Sequence, residues 1–269
     1  MFEKGFLIMM RIGQIYPYDN PAYFHDAKAN GLKFIEVCCN YGPDNDHFIA
    51  SVENMKKGIA ESGVDVSCVG RWNHEMMADG KIVPEQQASY KALLNAAIEV
   101  GAKTFVCGAN YDDSISLYRN YTNAIAFFGD LIEQAQGRIK IAIQNCNWNN
   151  YIVSPREWEV VLGELPELCL KYDPSHAYNR DADYLAEMSD WGERIAHVHI
   201  KGTTHAGKRW VDDPPAGMDD LKWSSIFAVL YARGYDGDLS LEPHSETWSG
   251  ELGNKGVEFT KKYIKQFIL

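Results

Sequence analysis

The segment His197-Val198-His199-Ile200-Lys201 alternates three polar side chains with two apolar ones. In a β-strand, successive side chains point to opposite faces, so the three polar groups would share one face. A strand that turns such a face inward requires a polar interior to contact. The segment therefore predicts a buried strand that carries functional groups at its carboxyl end.

Polar residues also follow three other apolar runs of the chain. These runs are IAIQN at 141–145, KYDPSH at 171–176 and LSLEPH at 239–244. Further strand-like runs alternate with helix-like runs from end to end. The pattern predicts strands at roughly 8–14, 33–38, 64–70, 103–108, 139–144, 168–173, 194–200 and 238–242.

Start and stop signals mark the helices between these strands. Pro84 suits the first position of a helix that runs to Val100, and the string SPRE at 154–157 has Ser as N-cap, Pro first and Glu third. Glycine is the usual residue just after a helix. The glycines that precede the strands are Gly31, Gly63, Gly101, Gly137 and Gly234.

Eight consecutive βα units with no break between them predict a single (β/α)8 TIM barrel, an α/β fold spanning residues 1–269 as one domain. The alternative is a doubly wound sheet, but no Gly-rich phosphate loop follows the first strand. In a barrel, the catalytic groups come from the carboxyl ends of the strands. The polar residues have collected at these positions.

The formal net charge of −11 disfavours a nucleic acid or an anionic membrane as the partner, because such surfaces are bound by clustered Lys and Arg. The six cysteines lack CxxC spacing and mostly fall in strand-like runs, which is typical of buried residues in a reducing compartment. No run approaches transmembrane length and no signal peptide is evident. We expect a cytoplasmic protein, with homo-oligomerisation left open.

The fifth to eighth predicted strands end in one amide, two carboxylates and one imidazole. A divalent ion such as Mn²⁺, Mg²⁺, Zn²⁺ or Co²⁺ accepts this ligand set. Taken singly, each residue has an ordinary alternative, since an Asp before Pro can cap a helix and a His can be a satisfied core residue. Four such residues on consecutive strand ends favour the metal. The predicted ligands are Gln144, Asp173, His199 and Glu242.

The strings YDPSH at 172–176, HVHIKG at 197–202 and LSLEPH at 239–244, with GLKFIEV at 31–37, resemble the xylose-isomerase-like TIM barrels, a group of sugar epimerases, hydroxypyruvate isomerases, inosose dehydratases and relatives. The resemblance covers nearly the whole chain. It implies metal ligands of Glu, Asp, His and Glu on strands five to eight, which fall on Gln144, Asp173, His199 and Glu242. The departure is Gln144, where the family usually has Glu.

Gln144 offers a neutral carbonyl oxygen in place of a carboxylate. We therefore expect weaker metal affinity and a stronger Lewis acid in the bound ion. The resemblance implies that epimerases of the family move the proton with two metal-bound glutamates, of which only Glu242 is present here. A one-base reaction thus gains weight over symmetrical epimerisation.

Further polar and aromatic residues surround the predicted metal site. As catalytic groups we predict Glu242 as base, Lys201 as enolate-stabilising cation or partner of Glu242, and His176 near a substrate oxygen. His197 is expected behind the ligands. Rings beside amides suit a sugar. The predicted substrate-binding residues are Glu36, Trp72, His74, Asn110, Asn145, Trp148, His176, Arg209 and His244. The alternative for Glu36 is an ion pair that lines the barrel.

These features predict a divalent-metal-dependent sugar isomerase or epimerase that acts on a keto sugar or related carbohydrate through a metal-stabilised enediolate. One alternative is a dehydratase or lyase that uses one base on a keto sugar or 3-keto glycoside. Another is a non-catalytic sugar-binding relic, and an abasic-site endonuclease shares the barrel but not the acidic charge. The long loop at 202–220 is a candidate lid.

Overall fold

The computed structural model describes residues 10–17, 22–40, 44–73 and 75–269. Eight parallel strands close into a barrel, and the last strand pairs with the first. In chain order, which is also their order around the barrel, they are β1 (Arg11–Pro17), β2 (Phe34–Cys38), β3 (Asp65–Arg71), β4 (Thr104–Cys107), β5 (Lys140–Gln144), β6 (Cys169–Tyr172), β7 (Ile195–Ile200) and β8 (Asp238–Leu241).

Helices cover the outside of this barrel. They are α1 (Ala22–Ala29), α2 (Asp44–Ser62), α3 (Pro84–Glu99), α4 (Leu117–Ala135), α5 (Pro155–Glu164), α6 (Pro174–Asn179), α7 (Tyr184–Trp191), α8 (Trp223–Ala232) and α9 (Gly250–Lys265). Two short antiparallel hairpins leave the barrel, one of Met77–Ala78 and Lys81–Ile82, the other of Thr204–Ala206 and Arg209–Asp212. The predicted (β/α)8 architecture is confirmed.

The predicted strands agree with the observed ones to within one residue at either end, except for the first. That strand, predicted at roughly 8–14, runs from Arg11 to Pro17, while residues 8 and 9 lie outside the described residues. The helix signals are also confirmed. Helix α3 begins at Pro84, and the Ser154 N–H at the start of α5 donates to Glu157 at 3.0 Å. All five predicted cap glycines have positive φ angles.

The core has two layers because side chains alternate along each strand. On β7, Val198 belongs to the large apolar layer between barrel and helices, while His197 and His199 contact Glu36 across the barrel interior. A smaller apolar cluster is separate from that layer. It consists of Cys68, Trp72, Val106 and Ala142. The polar residues of β7 thus face inward, as their spacing predicts.

An ion cluster lies at the amino-terminal end of the barrel strands, opposite the functional end. Arg11 on β1 donates to Asp238 on β8 at 2.7 Å and to Asp65 on β3 at 2.5 Å, and Ser67 donates to Asp238 at 2.5 Å. Burial alone would raise the pKa of Asp238. The hydrogen bonds from Arg11 and Ser67 outweigh burial and lower it. This cluster ties three strands together.

All six cysteines are free thiols, and Cys39, Cys68 and Cys107 are buried. Across the part of the chain that the structure describes, no helix is both long enough and apolar enough to cross a membrane.

Candidate metal centre and substrate cavity

A cavity of about 770 Å³ opens at the carboxyl ends of the barrel strands. Its volume is in the range of sites that enclose small organic molecules. Strand ends and the loops after them contribute nearly all of its walls. The described residues that line it are Gln14, Ile15, Tyr16, Cys38, Asn40, Trp72, Gln144, Cys146, Trp148, Lys171, His176, Lys201, Glu242, Pro243 and His244.

Asp173, His199 and Glu242 meet beside this cavity, each from the end of a different strand. One potential ligand atom of each residue lies within 4.8 Å of those of the other two. Asp173 and His199 are fully buried, and Glu242 borders the cavity. Two carboxylates and one imidazole at this spacing form a set that divalent cations accept.

Asp173 has one oxygen that suits a cation. Its Oδ1 accepts a hydrogen bond from the Ser175 N–H at 2.8 Å. This bond makes Asp173 the N-cap of α6, which is the ordinary alternative that the sequence allows for this residue. Its Oδ2 is buried and accepts no hydrogen bond from the described residues. Burial by itself would raise the pKa of Asp173, but Lys201 and His176 lower it to about 2. The carboxylate is thus ionised and has one oxygen free of hydrogen bonds.

The hydrogen bonds of His199 constrain its protonation. Its Nε2 lies 2.9 Å from both carboxylate oxygens of Glu36, and its Nδ1 lies 3.1 Å from Glu242 Oε2. A neutral imidazole carries one proton, so a ring protonated at Nε2 turns a lone pair toward the Glu242 oxygen. The lone pair and the carboxylate oxygen repel each other unless a second ring proton or a metal ion lies between them. Burial by itself would lower the pKa of His199, but the carboxylates of Glu36 and Glu242 together outweigh burial and raise it.

Glu36 and His197 lie beneath the three candidate ligands. His197 Nε2 lies 2.8 Å from Glu36 Oε2, and both residues are fully buried. These two residues and His199 form a second group whose ligand atoms lie within 4.8 Å of one another. Since Glu36 is committed to two imidazoles and does not line the cavity, its predicted contact with substrate is replaced by support of His199.

Lys201 is surrounded by partners. Its Nζ lies 3.4 Å from Asp173 Oδ2, 3.7 Å from Glu242 Oε2 and 3.3 Å from His176 Nε2. Because an ammonium group only donates, His176 Nε2 accepts. Burial lowers the pKa of His176 to about 3, so its ring is neutral. The predicted pairing of Lys201 with Glu242 is therefore present, together with a contact to Asp173.

Gln144 lines the same cavity at the end of β5 and is almost completely buried. Its Nε2 donates to the Trp148 carbonyl at 3.4 Å. This bond identifies the amide nitrogen as the group turned toward the loop. Gln144 thus borders the cavity into which Glu242 also projects.

The other predicted substrate residues divide into two sets. Trp72, Trp148, His176 and His244 line the cavity. Asn110, Asn145 and Arg209 are absent from its described lining. His74 lies outside the described residues.

Two asparagines have structural partners in place of substrate. Asn110 accepts the N–H groups of Met76 and Met77 at 2.8 and 3.0 Å and donates to the Met77 carbonyl, which holds the first hairpin. Asn145 exchanges two hydrogen bonds of 2.9 Å with the backbone of Asp173. Both amides are buried and are hydrogen-bonded to backbone groups, so in the structure Asn110 supports the loop and Asn145 supports Asp173 in place of the predicted substrate contacts.

The loop predicted as a lid forms the second hairpin, and Arg209 is exposed on it. The hairpin is fastened to the segment after β8. Ser245 donates to Asp212 at 2.5 Å, and His244 Nδ1 lies 3.5 Å from Asp213. These contacts place the hairpin beside the cavity without bringing Arg209 into its described lining.

Lys171 lines the cavity but is not among the site residues predicted from the sequence. It lies on β6 two residues before Asp173, is 2% exposed and lines the cavity. The signal was present in the sequence, because residues 171 and 173 share one face of a strand. Lysines are seldom buried, so strand alternation alone is weak evidence that the ammonium of Lys171 points inward.

Comparison with known proteins gives one curated relative, the uncharacterized protein YfiH of Bacillus subtilis (strain 168), which is 28% identical over 167 residues. The match covers 53% of each sequence, so the alignment spans about half the length of that relative. It supports kinship without assigning an activity.

Several solved structures share the fold over nearly the whole chain. The 3-keto-D-glucoside 4-epimerase YcjR from E. coli is 16% identical with a TM-score of 0.76, covering 96% of this chain and 99% of that one. D-Psicose 3-epimerase from Clostridium cellulolyticum H10 is 12% identical with a TM-score of 0.77 and the same coverage. The probable 3-DHS dehydratase AsbF from Bacillus anthracis is 14% identical with a TM-score of 0.73, again with the same coverage.

A sequence profile described as xylose isomerase-like TIM barrel matches residues 24–263, most of the chain. With the closed barrel of eight parallel strands, this match confirms the resemblance that the strings around Asp173, His199 and Glu242 indicate. The chain belongs to the xylose isomerase-like TIM barrel family.

Proposed function

We propose that this protein is a divalent-metal-dependent enzyme that isomerises or epimerises a keto sugar or a related carbohydrate. The observation that carries the proposal is the group formed by the buried Asp173 and His199 and the partly exposed Glu242 beside a cavity of about 770 Å³. The solved relatives named above include two epimerases that act on sugars or sugar derivatives, which agrees with this assignment.

The residues fit a metal ion. Asp173 offers an oxygen that accepts no hydrogen bond, and His199 offers Nδ1 once its proton is on Nε2. Glu242 offers Oε2, and Gln144 offers an amide oxygen as a neutral fourth ligand. Mn²⁺, Mg²⁺, Zn²⁺ and Co²⁺ are the candidate ions. When bound, such an ion polarises a carbonyl and an adjacent hydroxyl and makes the neighbouring C–H more acidic.

The protein's own residues supply the remaining chemistry. Glu242 is the only carboxylate among the described residues that line the cavity, which makes it our candidate base. Burial by itself would raise its pKa, but Lys201 and His199 outweigh burial and hold the pKa well below the usual value, so the group is ionised at neutral pH. The ammonium nitrogen of Lys201 lies 3.7 Å from Glu242 Oε2. Trp72 and Trp148 offer apolar surface to the sugar.

A dehydratase or lyase on a keto sugar or 3-keto glycoside is the second candidate. It is favoured by Gln144, which leaves Glu242 without a second carboxylate on the described cavity wall. One base removes the proton, and departure of a β-substituent completes the reaction without a second base on the opposite face. The fold is shared with the probable dehydratase AsbF.

The test is a screen of ketohexoses, ketopentoses and 3-keto glycosides in deuterated water, read by mass spectrometry, with the protein loaded in turn with Mn²⁺, Mg²⁺, Zn²⁺ or Co²⁺. Either candidate predicts chemistry at the carbon next to the carbonyl. An isomerase or epimerase adds one mass unit to recovered sugar, and a dehydratase yields a product lighter by one water. The chelator-treated protein is the control. Failure of every substrate to exchange or eliminate with any of the four ions would overturn the proposed function.

A further inference from the structure

Lys171 is a buried cation whose charge the described residues leave unpaired. Its side chain is among the largest fully buried ones in the protein, and it lines the cavity. No carboxylate oxygen of the described residues lies within 4.0 Å of its Nζ, and no hydrogen bond to a described residue engages it. Its close contact is the ring of Trp72, whose centroid is 5.5 Å from Nζ.

Lys201 provides the comparison within the same cavity. Lys201 Nζ has Asp173, Glu242 and His176 at 3.3–3.7 Å. An ammonium removed from water without an anionic partner is costly, and an aromatic face offsets only part of that cost. Trp72, whose ring contacts Lys171, also has a buried Nε1 donor without a partner among the described residues. The ammonium of Lys171 makes this wall suited to an anionic oxygen from outside the protein.

Gln144 bears on the same point. It pairs with Lys171 in the register of β5 and β6. A carboxylate at residue 144 would place a negative charge next to the ammonium, whereas the amide leaves that charge uncompensated. Among the described residues, two lysines and one carboxylate line the cavity, and that carboxylate lies 3.7 Å from the Nζ of Lys201. Asp173 and Glu242 interact with Lys171 only over longer distances. No carboxylate therefore contacts the ammonium on the Lys171 side of the cavity.

We propose that Lys171 binds a carboxylate of the substrate, so that the natural substrate is a sugar acid rather than a neutral sugar. This inference rests on the proposed function, because it places the anion in the same cavity. The hydrogen bonds would run from the ammonium to a carboxylate oxygen, and charge-assisted bonds of this kind discriminate strongly against a neutral analogue.

The test compares matched pairs of ligands that differ in charge. A panel of hexonates and the corresponding hexitols, including D-gluconate with D-glucitol, is titrated calorimetrically into the full-length Mg²⁺-loaded protein. We expect the best hexonate to bind at least about 10-fold more tightly than its hexitol. In Lys171→Met, this ratio should fall below about 3-fold while hexitol affinity is retained. Lys140→Met, an exposed lysine at the far end of β5, should behave as the wild type.

Two further measurements guard against a misfolded variant. Lys171→Met removes an unpaired buried charge and keeps an unbranched side chain, so its melting temperature should equal or exceed that of the wild type. Gln144→Glu keeps Lys171 but gives it an internal anion, and should also reduce the preference for hexonates. Both variants test the charge without relying on turnover.

A wild-type protein that binds no hexonate better than its hexitol, or a Lys171→Met protein that keeps the preference, would overturn the inference. A Lys171→Met protein that loses turnover but keeps the wild-type ratio of hexonate to hexitol affinity would also overturn it. Lys171 would then act only on charge formed during the reaction. If neutral ketoses exchange deuterium normally while the preference is absent, this inference alone fails. If no sugar reacts but the Lys171-dependent preference is present, the proposed function fails and the anion site stands.

Discussion

His199 Nε2 lies 2.9 Å from both carboxylate oxygens of Glu36, although 163 positions separate the two residues in the chain. The contact crosses the barrel interior from β7 to β2 and keeps the other ring nitrogen turned toward Glu242. Carboxylates behind a metal-binding histidine fix its tautomer and strengthen it as a ligand. Glu36 therefore acts on the proposed metal site through His199.

Replacing Glu36 should weaken metal binding without removing any ligand. We expect Glu36→Gln to reduce Mn²⁺ affinity by about 10- to 100-fold, the usual scale for a lost partner of a ligating histidine. Isothermal titration calorimetry measures it. Glu164→Gln, at an exposed site on α5, is the matched control. An affinity equal to that of the wild type would show that His199 is not a ligand or needs no support.

Much of the fold could be predicted from the sequence because the barrel repeats one local rule. Each strand is a short apolar run preceded by a cap glycine or followed by polar residues, and these signals lie within a few residues of one another. The first strand begins later than its apolar pattern predicts. Its apolar residues continue upstream of Arg11, so hydrophobicity alone did not mark its start.

The site was harder to predict, because strand alternation gives the direction of a side chain but not its partner. The sequence pattern predicts that Asp173, His199 and Glu242 lie close together, and they do in the structure. It assigned Glu36, Asn110 and Asn145 to substrate. In the structure, these side chains form hydrogen bonds with imidazoles or backbone groups from distant segments.

Metal affinity should rise when the neutral amide of Gln144 becomes an anion. We expect Gln144→Glu to bind Mn²⁺ at least about 10-fold more tightly, since carboxylates are the preferred ligands of hard cations. Calorimetric titration of both proteins at one pH measures the change. Gln136→Glu, at the end of α4 and away from the cavity, is the control. Equal affinities would place Gln144 outside the metal's ligands.

The ion cluster at the opposite end of the barrel should control stability. We expect Asp238→Asn to lower the free energy of unfolding by about 3 kcal/mol, because Arg11 would lose a buried partner. Urea denaturation at pH 7 measures the difference. Asp236→Asn, exposed two residues earlier, is the control.

The same variant makes a prediction about acid. The pKa of Asp238 is lowered in the folded protein, so its stabilising contribution is fully present above the unfolded value of about 4. It is lost as the pH falls through the lowered folded value. The gap in stability between wild type and Asp238→Asn should therefore narrow as the pH falls below about 4. A gap that widens in acid would contradict the assignment.

Glu242 is the residue on which the proposed chemistry depends most. Replacement by Gln keeps the shape and an oxygen donor but removes basicity, so turnover should fall by at least about 10²-fold, the scale for a positioned base. Glu246→Gln, exposed in the same loop, is the matched control. Because the lost charge also weakens metal binding, both proteins are assayed at saturating Mn²⁺ with the bound ion quantified.

The deciding measurement is exchange of the substrate's α-hydrogen in deuterated water. If the metal-saturated variant exchanges it at the wild-type rate, the base is another group, and the neutral His176, which lines the cavity, becomes the next residue to replace.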